Sequence, residues 1–324
     1  MSFSFRSLLF AACAALAVTP AAGARDFRSA EVHPADYPTT KAVEYMGQLL
    51  KERSGGKLGV KVFPNGALGN ERDTIEQLKI GGLDMMRINV APLNNVVPET
   101  IVPALPFLFR SEDHMHATLD GPVGEKILKA MESQGMVGLA FYDSGARSLY
   151  TTKPVKTLAD IQGMKVRVQQ SDLFVAMVEA LGASATPMPY GEVYTGLTTG
   201  LIDAAENNLP SYESSRHFEV AKHYTLTEHS MAPEVLVFSK VLWDRMDEED
   251  QALIRQAAKD SVPHMRKLWD EREAKSRQIV EAGGAQIAQL EDRQAWADAV
   301  QPVYEQFAAA PELKSLVEEI QAAK

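Results

Sequence analysis

The sequence predicts an α/β fold composed of two lobes. Residues 26–90 show the order strand, helix, strand, helix, strand, which is typical of a parallel sheet with right-handed crossovers. Residues 165–205 repeat that alternation after a connecting segment. The chain has 324 residues and one cysteine, so a large apolar core and not a disulfide framework must stabilise it. This length exceeds that of one average domain, which favours two lobes.

The N-terminus has the features of a secretory signal peptide at residues 1–24. Arg6 precedes a short apolar run at 8–18, and the sequence Ala-Gly-Ala at 22–24 is a typical cleavage site. The apolar run is too short to cross a bilayer. We therefore expect a soluble exported protein that begins at Arg25 and lacks the only cysteine, Cys13.

Apolar periodicity and the positions of Gly and Pro assign the elements of the first lobe. Strands are predicted at residues 26–33, 58–63, 84–90 and 136–142. Helices are predicted at residues 37–53 and 72–80, each closed by a Gly-Gly pair. Two further segments are predicted to be a Pro-rich connector and the crossing into the second lobe, at residues 98–109 and 143–154.

The same criteria assign the rest of the chain. Strands are predicted at residues 165–168, 183–186, 201–205, 224–228 and 235–238, and helices at residues 172–181, 192–199 and 210–218. Residues 247–282 form one long helical pattern, in which Pro263 predicts a kink or a break. Two amphipathic helices at 294–307 and 312–322 complete the chain, the first of them disturbed at Pro302.

Charge and motifs narrow the function. A formal net charge of −10 argues against nucleic acid, whose phosphates require a basic surface. It does not exclude an anionic ligand, because local arginines set the field inside a cleft. The sequence contains no G-x-S-x-G, no H-E-x-x-H and no phosphate loop. His114 and His116 are two residues apart, which splits them across a helix. We therefore expect no enzymatic activity, no metal and no cofactor.

Arg167 is the sharpest candidate for ligand binding. Lys165, Arg167 and Gln169 alternate with Val166 and Val168, whereas a strand buried on both faces is apolar throughout. One face of this strand therefore lines a cleft or is the solvated face of an edge strand. A guanidinium group at the end of a strand is suited to a carboxylate, because it can make two parallel hydrogen bonds.

Arg147 and an amide pair are the next candidates. Arg147 stands in a turn of small residues that would let a ligand approach closely, although a single arginine is more often an ordinary surface residue. Asn207 and Asn208 follow a strand and can contact a hydroxylated ligand, or can cap the helix ahead of Pro210. Glu206 either orients an arginine or is exposed.

Four residues offer further contacts, each with a structural alternative. Asn89 is a candidate near the end of its strand, and Arg87 is a second cation or, as we favour, part of an ion pair. His33 can hydrogen-bond a ligand hydroxyl or serve the structure alone. Tyr190 can stack on a sugar face, although a buried tyrosine is the commoner case.

The chain resembles the periplasmic solute-binding subunits of tripartite ATP-independent periplasmic (TRAP) transporters, the dicarboxylate-binding-protein family. The resemblance rests chiefly on residues 163–168 (GMKVRV), 187–194 (PMPYGEVY) and 200–207 (GLIDAAEN). It implies a two-lobed α/β periplasmic binding protein with mostly parallel sheets, crossing hinge strands and a long helix spanning both lobes. We assign the lobes as follows: lobe I, residues 25–144 and 233–272; lobe II, residues 145–232 and 273–324.

The resemblance also implies roles for individual residues. Arg167 matches the arginine that clamps the ligand carboxylate in almost all members, and Arg147 matches a second, frequently used arginine. Asn207 matches a ligand-binding asparagine, and Tyr190 matches an aromatic position of the pocket. Ala204 stands where many members have glycine, a mild departure.

Two first-lobe residues and one branch of the family bear on the ligand. Glu71 and Asn89 fall where first-lobe residues choose the ligand, and sialic-acid-binding members look acidic at the Asn89 position. Residues 166–172 (VRVQQSD) and 205–235 look like the branch that binds D-glucuronate and D-galacturonate. A hexuronate needs one arginine clamp and many amides, for which the candidates are Asn89, Gln169, Asn207 and Asn208.

The expected function is capture of a small carboxylate, with a hexuronate favoured, by an arginine clamp and lobe closure. The protein is expected to act in the periplasm as a monomer and to deliver its ligand to TRAP membrane subunits. A C4-dicarboxylate stays open as the ligand, because Arg147 or Arg87 could provide a second cationic site. A periplasmic enzyme acting on acidic sugars is the alternative from another class.

Overall fold

The computed structural model describes residues 24–323. The predicted signal peptide therefore lies outside the described residues except for Ala24. The first part of the chain forms four strands and five helices: β1 (Arg25–Ala30), α1 (Pro38–Arg53), β2 (Leu58–Phe63), α2 (Glu71–Lys79), β3 (Met85–Asn89), α3 (Ile101–Ala104), α4 (Glu112–Leu119), α5 (Pro122–Ala130) and β4 (Met136–Tyr142).

The middle part of the chain begins with a strand that directly follows a small-residue turn. Its elements are β5 (Arg147–Thr151), β6 (Lys165–Val168), α6 (Asp172–Ala180), β7 (Ser184–Pro187), α7 (Val193–Thr199), β8 (Ala204–Asn207), α8 (Leu209–Ser214) and β9 (His223–Ser230). The last part comprises β10 (Glu234–Ser239), α9 (Lys240–Trp243), α10 (Glu248–Ala282), β11 (Gln286–Gln289), α11 (Arg293–Ala299), α12 (Gln301–Phe307) and α13 (Pro311–Ala322).

Two mixed sheets form the centres of the two lobes. The strand order is β2-β1-β3-β10-β4 in lobe I and β11-β9-β5-β8-β6-β7 in lobe II. The pairs β1–β2, β1–β3, β6–β7, β6–β8 and β9–β11 are parallel. Each antiparallel pair includes β5 or β10, the strands that enter a sheet directly after the chain has crossed from the other lobe. The predicted fold class is confirmed.

Three connections between the lobes come before the C-terminal helices. Residues 143–146 join β4 to β5, and residues 231–233 join β9 to β10. The third connection is α10, which packs against α1 and β4 in lobe I and against α8 in lobe II. The exact division into lobes stays a prediction. The C-terminal helices pack on both lobes. Helix α12 contacts α6 of lobe II, whereas α13 contacts α3 and α5 of lobe I.

The structure corrects several predicted elements. Pro263 does not break α10, which is one helix of 35 residues. Pro263 is exposed, so water can reach the carbonyl group that the proline leaves without a donor. The split at Val300 between α11 and α12 confirms the disturbance expected near Pro302. Part of the expected connector is helical in α3, and His33 lies beyond the end of β1.

Several elements were not predicted, among them α4, α5, β5, α9 and β11. Helices α4 and α5 have eight and nine residues and lie between the expected Pro-rich connector and β4, in a segment to which no element was assigned. All five residues of β5 are buried, so the strand has no alternation of polar and apolar positions. Strand β11 has only four residues at the edge of its sheet. Arg147, expected in a turn, is therefore the first residue of a strand.

Gly145 provides a test of the connection between the lobes. Its φ is +56°, and an added Cβ would lie 3.1 Å from the Trp269 ring of α10. Gly163 has a similar φ of +70°, but a Cβ there would meet nothing within 4 Å. We expect Gly163→Ala to lower the free energy of unfolding by about 1–2 kcal/mol through backbone strain alone. Gly145→Ala should cost more, because the ring must also move.

Urea denaturation of both variants measures this difference. Equal losses in the two variants would show that Trp269 does not constrain the crossing segment.

Candidate functional site

A small polar cavity lies between the lobes, at the carboxyl ends of the parallel strands. The space inside it is about 280 Å³, a value that includes open solvent, so only a small solute fits there. Residues from both lobes line it: Val32, His33, Glu71, Arg87, Asn89, Arg147, Arg167, Gln169, Tyr190, Asn207, Ser211 and Glu234. Every residue predicted for the site except Asn208 is among them.

A larger depression on the outer face of lobe I does not share this chemistry. It lies between α5 and α10, with a volume of about 1660 Å³ that includes open solvent. Its charged residues, such as Arg255 and Lys259, are exposed. The buried charges of the protein are instead concentrated at the cavity between the lobes.

Arg167 lies on β6, an interior strand of its sheet, so the edge-strand alternative is wrong. The residue is 2% exposed. Its Nε and Nη2 both donate to the Met188 carbonyl oxygen, at 2.9 and 2.7 Å. Within residues 24–323, Nη1 has no hydrogen-bond partner and no carboxylate pairs with this guanidinium. A buried cation without a counterion is costly, so the cavity is suited to an anion at this point.

Arg147, in contrast, is neutralised by the protein. Its Nε and Nη2 donate to the two carboxylate oxygens of Glu206, at 2.6 and 2.9 Å. Its Nη1 donates to Asn207 Oδ1 at 2.9 Å. Burial opposes ionisation of Glu206, but the charge and hydrogen bonds of Arg147, together with His229, outweigh it and hold the pKa of Glu206 at about 2. Glu206 thus orients an arginine, one of the two interpretations that the sequence left open.

Arg87 is also paired, as the sequence analysis favoured. Its Nε donates to Glu31 at 2.8 Å and its Nη1 to Glu234 at 2.5 Å. Burial raises the pKa of Glu234, but Arg87 more than offsets this and keeps it below its ordinary value. Glu234 lines the cavity and was missed. Its signal in the sequence was a lone acidic residue at the start of an apolar strand.

Lobe I contributes Glu71 and Asn89. Glu71 is the first residue of α2, whose N-cap is Asn70. Burial and the neighbouring Glu234 raise the pKa of Glu71 to about 7, against the opposing effect of Arg167. The Asn89 Nδ2 donates to the Ala232 carbonyl at 2.9 Å and to Glu234 Oε1 at 3.1 Å. Because both N–H groups are used, Asn89 keeps only acceptor capacity for a ligand.

Aromatic rings form one wall of the cavity. The His33 ring stacks on Tyr37 with centroids 3.8 Å apart, and Tyr190 meets His33 edge-on at 5.1 Å. Burial lowers the pKa of His33 to about 4, so the ring is neutral near pH 7. Its Nδ1 is buried without a partner in the described part of the chain. The Tyr190 hydroxyl donates to the Ser211 carbonyl at 3.0 Å, which fixes the ring.

The amide residues divide into two groups. Asn207 accepts from Arg147 and from the Asn208 backbone N–H through Oδ1, which leaves its Nδ2 for a ligand. Gln169 is 6% exposed, with Oε1 buried and unpartnered among the described residues. Asn208 has another role, since its Oδ1 caps α8 by accepting from Ser211 N at 2.8 Å. The capping interpretation therefore applies to Asn208.

Contacts between the lobes surround the cavity. The Tyr37 hydroxyl lies 2.9 Å from Ser211 Oγ. On another side, Asn95 donates to Asp172 at 3.1 Å. Arg272 of α10 bridges the lobes by contacting Asp36 at 2.9 Å and Glu213 at 2.6 Å. Sequence reasoning found none of these contacts, because each depends on how the lobes are oriented.

Comparison with solved structures shows which state this is. A TRAP periplasmic solute-binding protein from Citrobacter koseri, 38% identical, has been solved with bound D-glucuronate and also as an open structure without ligand. The present chain matches the bound form with a TM-score of 0.90, over 93% of this chain and 100% of the other. It matches the open form with a TM-score of 0.80, over 90% of this chain and 97% of the other. The lobes are therefore in a closed arrangement.

Two solved structures with higher sequence identity to this chain contain D-galacturonate. A TRAP periplasmic solute-binding protein from Bradyrhizobium sp. BTAi1, in complex with α/β-D-galacturonate, is 68% identical with a TM-score of 0.91, over 92% of this chain and 99% of the other. A protein of the same description from Xanthobacter autotrophicus Py2, with bound β-D-galacturonate, is 55% identical with a TM-score of 0.91, over 92% and 100%.

The sequence profile of one family covers most of the chain. The profile of bacterial extracellular solute-binding protein family 7, named DctP, matches residues 29–310. This match includes every strand of both sheets, except the first four residues of β1, and every residue that lines the cavity. The chain therefore belongs to the DctP family of extracellular solute-binding proteins, as the sequence motifs indicated.

Proposed function

We propose that this protein is a periplasmic receptor for a hexuronate, which it delivers to the membrane subunits of a TRAP transporter. The observation that carries the proposal is Arg167, a buried guanidinium without a counterion in a closed polar cavity. A ligand carboxylate would meet Nη1 and the free N–H of Nη2, because the other donors are held by Met188. Charge-assisted hydrogen bonds of this kind are among the strongest in proteins.

The charge balance favours a ligand with one carboxylate. Arg147 and Arg87 are already paired with glutamates, so neither is free for a second carboxylate. Glu71 and Glu234 also line the cavity and would repel one. These pairings weigh against a C4-dicarboxylate.

The remaining cavity groups suit the hydroxyls and the ring of a sugar. Asn207 Nδ2 is a free donor, Gln169 Oε1 is a free acceptor, and His33 Nδ1 has no partner within residues 24–323. The Tyr190 and His33 rings provide apolar faces against which a sugar ring can pack. Relatives at 68% and 55% identity contain galacturonate, which favours D-galacturonate over its C4 epimer.

Binding is coupled to closure of the lobes. Arg167 and Asn207 belong to the lobe II sheet, whereas His33 and Glu71 belong to the lobe I side, so only a closed form brings them to one ligand. A micromolar Kd requires about −8.2 kcal/mol, which a few charge-assisted and neutral hydrogen bonds can supply after ordering costs are met.

Transport, and not catalysis, is the proposed role. The family consists of solute-binding proteins, and no described cavity residue forms a nucleophile–base pair. Export through the predicted signal peptide at residues 1–24 would place the receptor in the periplasm, where a curated relative that is 35% identical also acts. We expect the protein to act there as a monomer.

Substitution of Arg167 tests the clamp. Lysine keeps the charge but lacks the planar fork, so Arg167→Lys should weaken uronate binding by at least about 2 kcal/mol, or roughly 30-fold. Arg167→Ala should abolish binding. Isothermal titration calorimetry measures both. Arg255→Lys, at an exposed position on α10, should bind as the unchanged protein does. Wild-type affinity in Arg167→Lys would contradict the clamp.

A comparison of ligands tests the charge balance. D-galacturonate, galactarate (its C1-oxidised dicarboxylate) and succinate are added to refolded, ligand-free protein, and thermal unfolding is recorded. We expect stabilisation by galacturonate, about 2.7 kcal/mol at roughly 100 times Kd, and little by the two dicarboxylates. Stabilisation by succinate alone would keep the arginine clamp but overturn the uronate assignment. Turnover of the uronate, followed by NMR, would instead indicate an enzyme.

A further inference from the structure

Glu71, which is half-buried, differs from the fully buried carboxylates at the cavity. Glu206 is paired with Arg147, and Glu31 and Glu234 are paired with Arg87. Within residues 24–323, Glu71 forms no salt bridge and no side-chain hydrogen bond with a cation. Its side chain lines the enclosed cavity on the lobe I side. It is therefore the cavity carboxylate whose charge depends on what enters the cleft.

The charges that face Glu71 come from both lobes. Glu234, on the crossing strand β10, repels an ionised Glu71. The ionised form is favoured by Arg167 and Arg147 across the cleft and by the Asn89 backbone N–H. Arg147 is already offset by Glu206. Arg167 is thus the main positive charge available to Glu71, and it is the same group that a ligand carboxylate would occupy.

A ligand carboxylate bound to Arg167 neutralises the positive charge that favours the ionised form of Glu71. The closed cavity would then hold the ligand anion, Glu234 and Glu71 without a free cation, an unfavourable arrangement where little water can screen it. We propose that capture of a uronate is linked to the uptake of one proton from solvent by the Glu71 carboxyl group, which then donates a hydrogen bond to an oxygen of the sugar. This inference rests on the proposed function. According to it, the bound complex contains one more proton than the free protein and ligand together.

The sign of the pH dependence follows from this linkage. In the open form Glu71 faces the solvent, where the pKa of a glutamate is about 4.3. Closure raises the pKa to about 7 by burial, and the ligand anion raises it further. Affinity is therefore constant at pH values below the open-form pKa. It weakens by up to tenfold per pH unit as the pH rises towards the bound-form pKa.

His33 is the other cavity group that titrates near neutral pH. Burial lowers the pKa of His33 to about 4, so closure releases a proton from any His33 that is protonated in the open form. Proton release by His33 opposes the proton uptake by Glu71, and it matters only at pH values around the ordinary histidine pKa of about 6.5. At about pH 7.5, His33 is almost entirely neutral in both forms, and the uptake by Glu71 can be measured by itself.

Calorimetry at about pH 7.5 in phosphate and in Tris counts the protons. The slope of the observed binding enthalpy against the ionisation enthalpy of the buffer gives the number taken up per D-galacturonate. We expect more than about a quarter of a proton, the value that a pKa of about 7 alone would give at this pH. Glu71→Gln should bind without uptake, because its amide group can still donate.

A matched control lies on the same helix. Glu76 of α2 is exposed and contacts Lys79, so Glu76→Gln should keep the uptake of the unchanged protein. If Glu71→Gln does not fold or bind, infrared difference spectra of the unchanged protein provide the test. Addition of ligand should then produce the C=O stretch of a protonated carboxylic acid.

Three results would overturn the inference. Binding without net uptake, or without the acid C=O band, would mean that Glu71 stays ionised and accepts hydrogen bonds from sugar hydroxyls. Uptake that persists in Glu71→Gln would assign the proton to another group. Failure of every monocarboxylate to bind would overturn the uronate receptor together with the proton linkage, whereas binding without uptake leaves the receptor intact.

Discussion

The organisation of the cleft depends on the need to offset buried charge. An ion without a counterion is costly in a protein interior, so each arginine at the cavity must be paired or must wait for an anion. Arg87 and Arg147 are paired by glutamates and serve as fixed donors that hold their neighbours. Arg167 is held by a carbonyl oxygen alone. The proposed selectivity for one carboxylate follows from this unequal pairing.

The sheet topology keeps the paired charges within their own lobes. Arg147 and Glu206 lie on the neighbouring strands β5 and β8, and Glu234 joins Arg87 across β10 and β3. Opening of the lobes therefore leaves these pairs in place. The approach of Glu71 to Arg167 is different, because the two residues belong to different lobes. In the proposed mechanism, closure brings Glu71 towards Arg167, and the ligand carboxylate binds to Arg167. Binding, closure and the state of Glu71 are thus parts of one equilibrium.

Much of the fold was predictable because local patterns and tertiary structure agree. Strands β2, β4 and β6 were predicted to the residue, since each has a distinct apolar pattern bounded by polar or turn residues. Of the elements that were missed, α4 is a short helix with a weak apolar pattern, and β5 has polar and apolar residues that do not alternate. The break predicted at Pro263 does not occur. The side of α10 that carries Pro263 is exposed, so water can hydrogen-bond the carbonyl group left without a donor, and most of the cost of a proline inside a helix is removed.

The sequence by itself determined which chemical groups the site contains. Arg167, Gln169 and Asn207 stand at the ends of strands, where α/β sheets open a cleft, and the motifs around them identified the family. Only the tertiary structure decided which of these groups are free. Glu206 and Glu234 neutralise two arginines through contacts between strands distant in sequence, whereas Asn208 caps α8 through a local contact with Ser211 N. Pairing and burial depend on three-dimensional proximity, so residue types along a chain can specify a carboxylate site but not its charge balance.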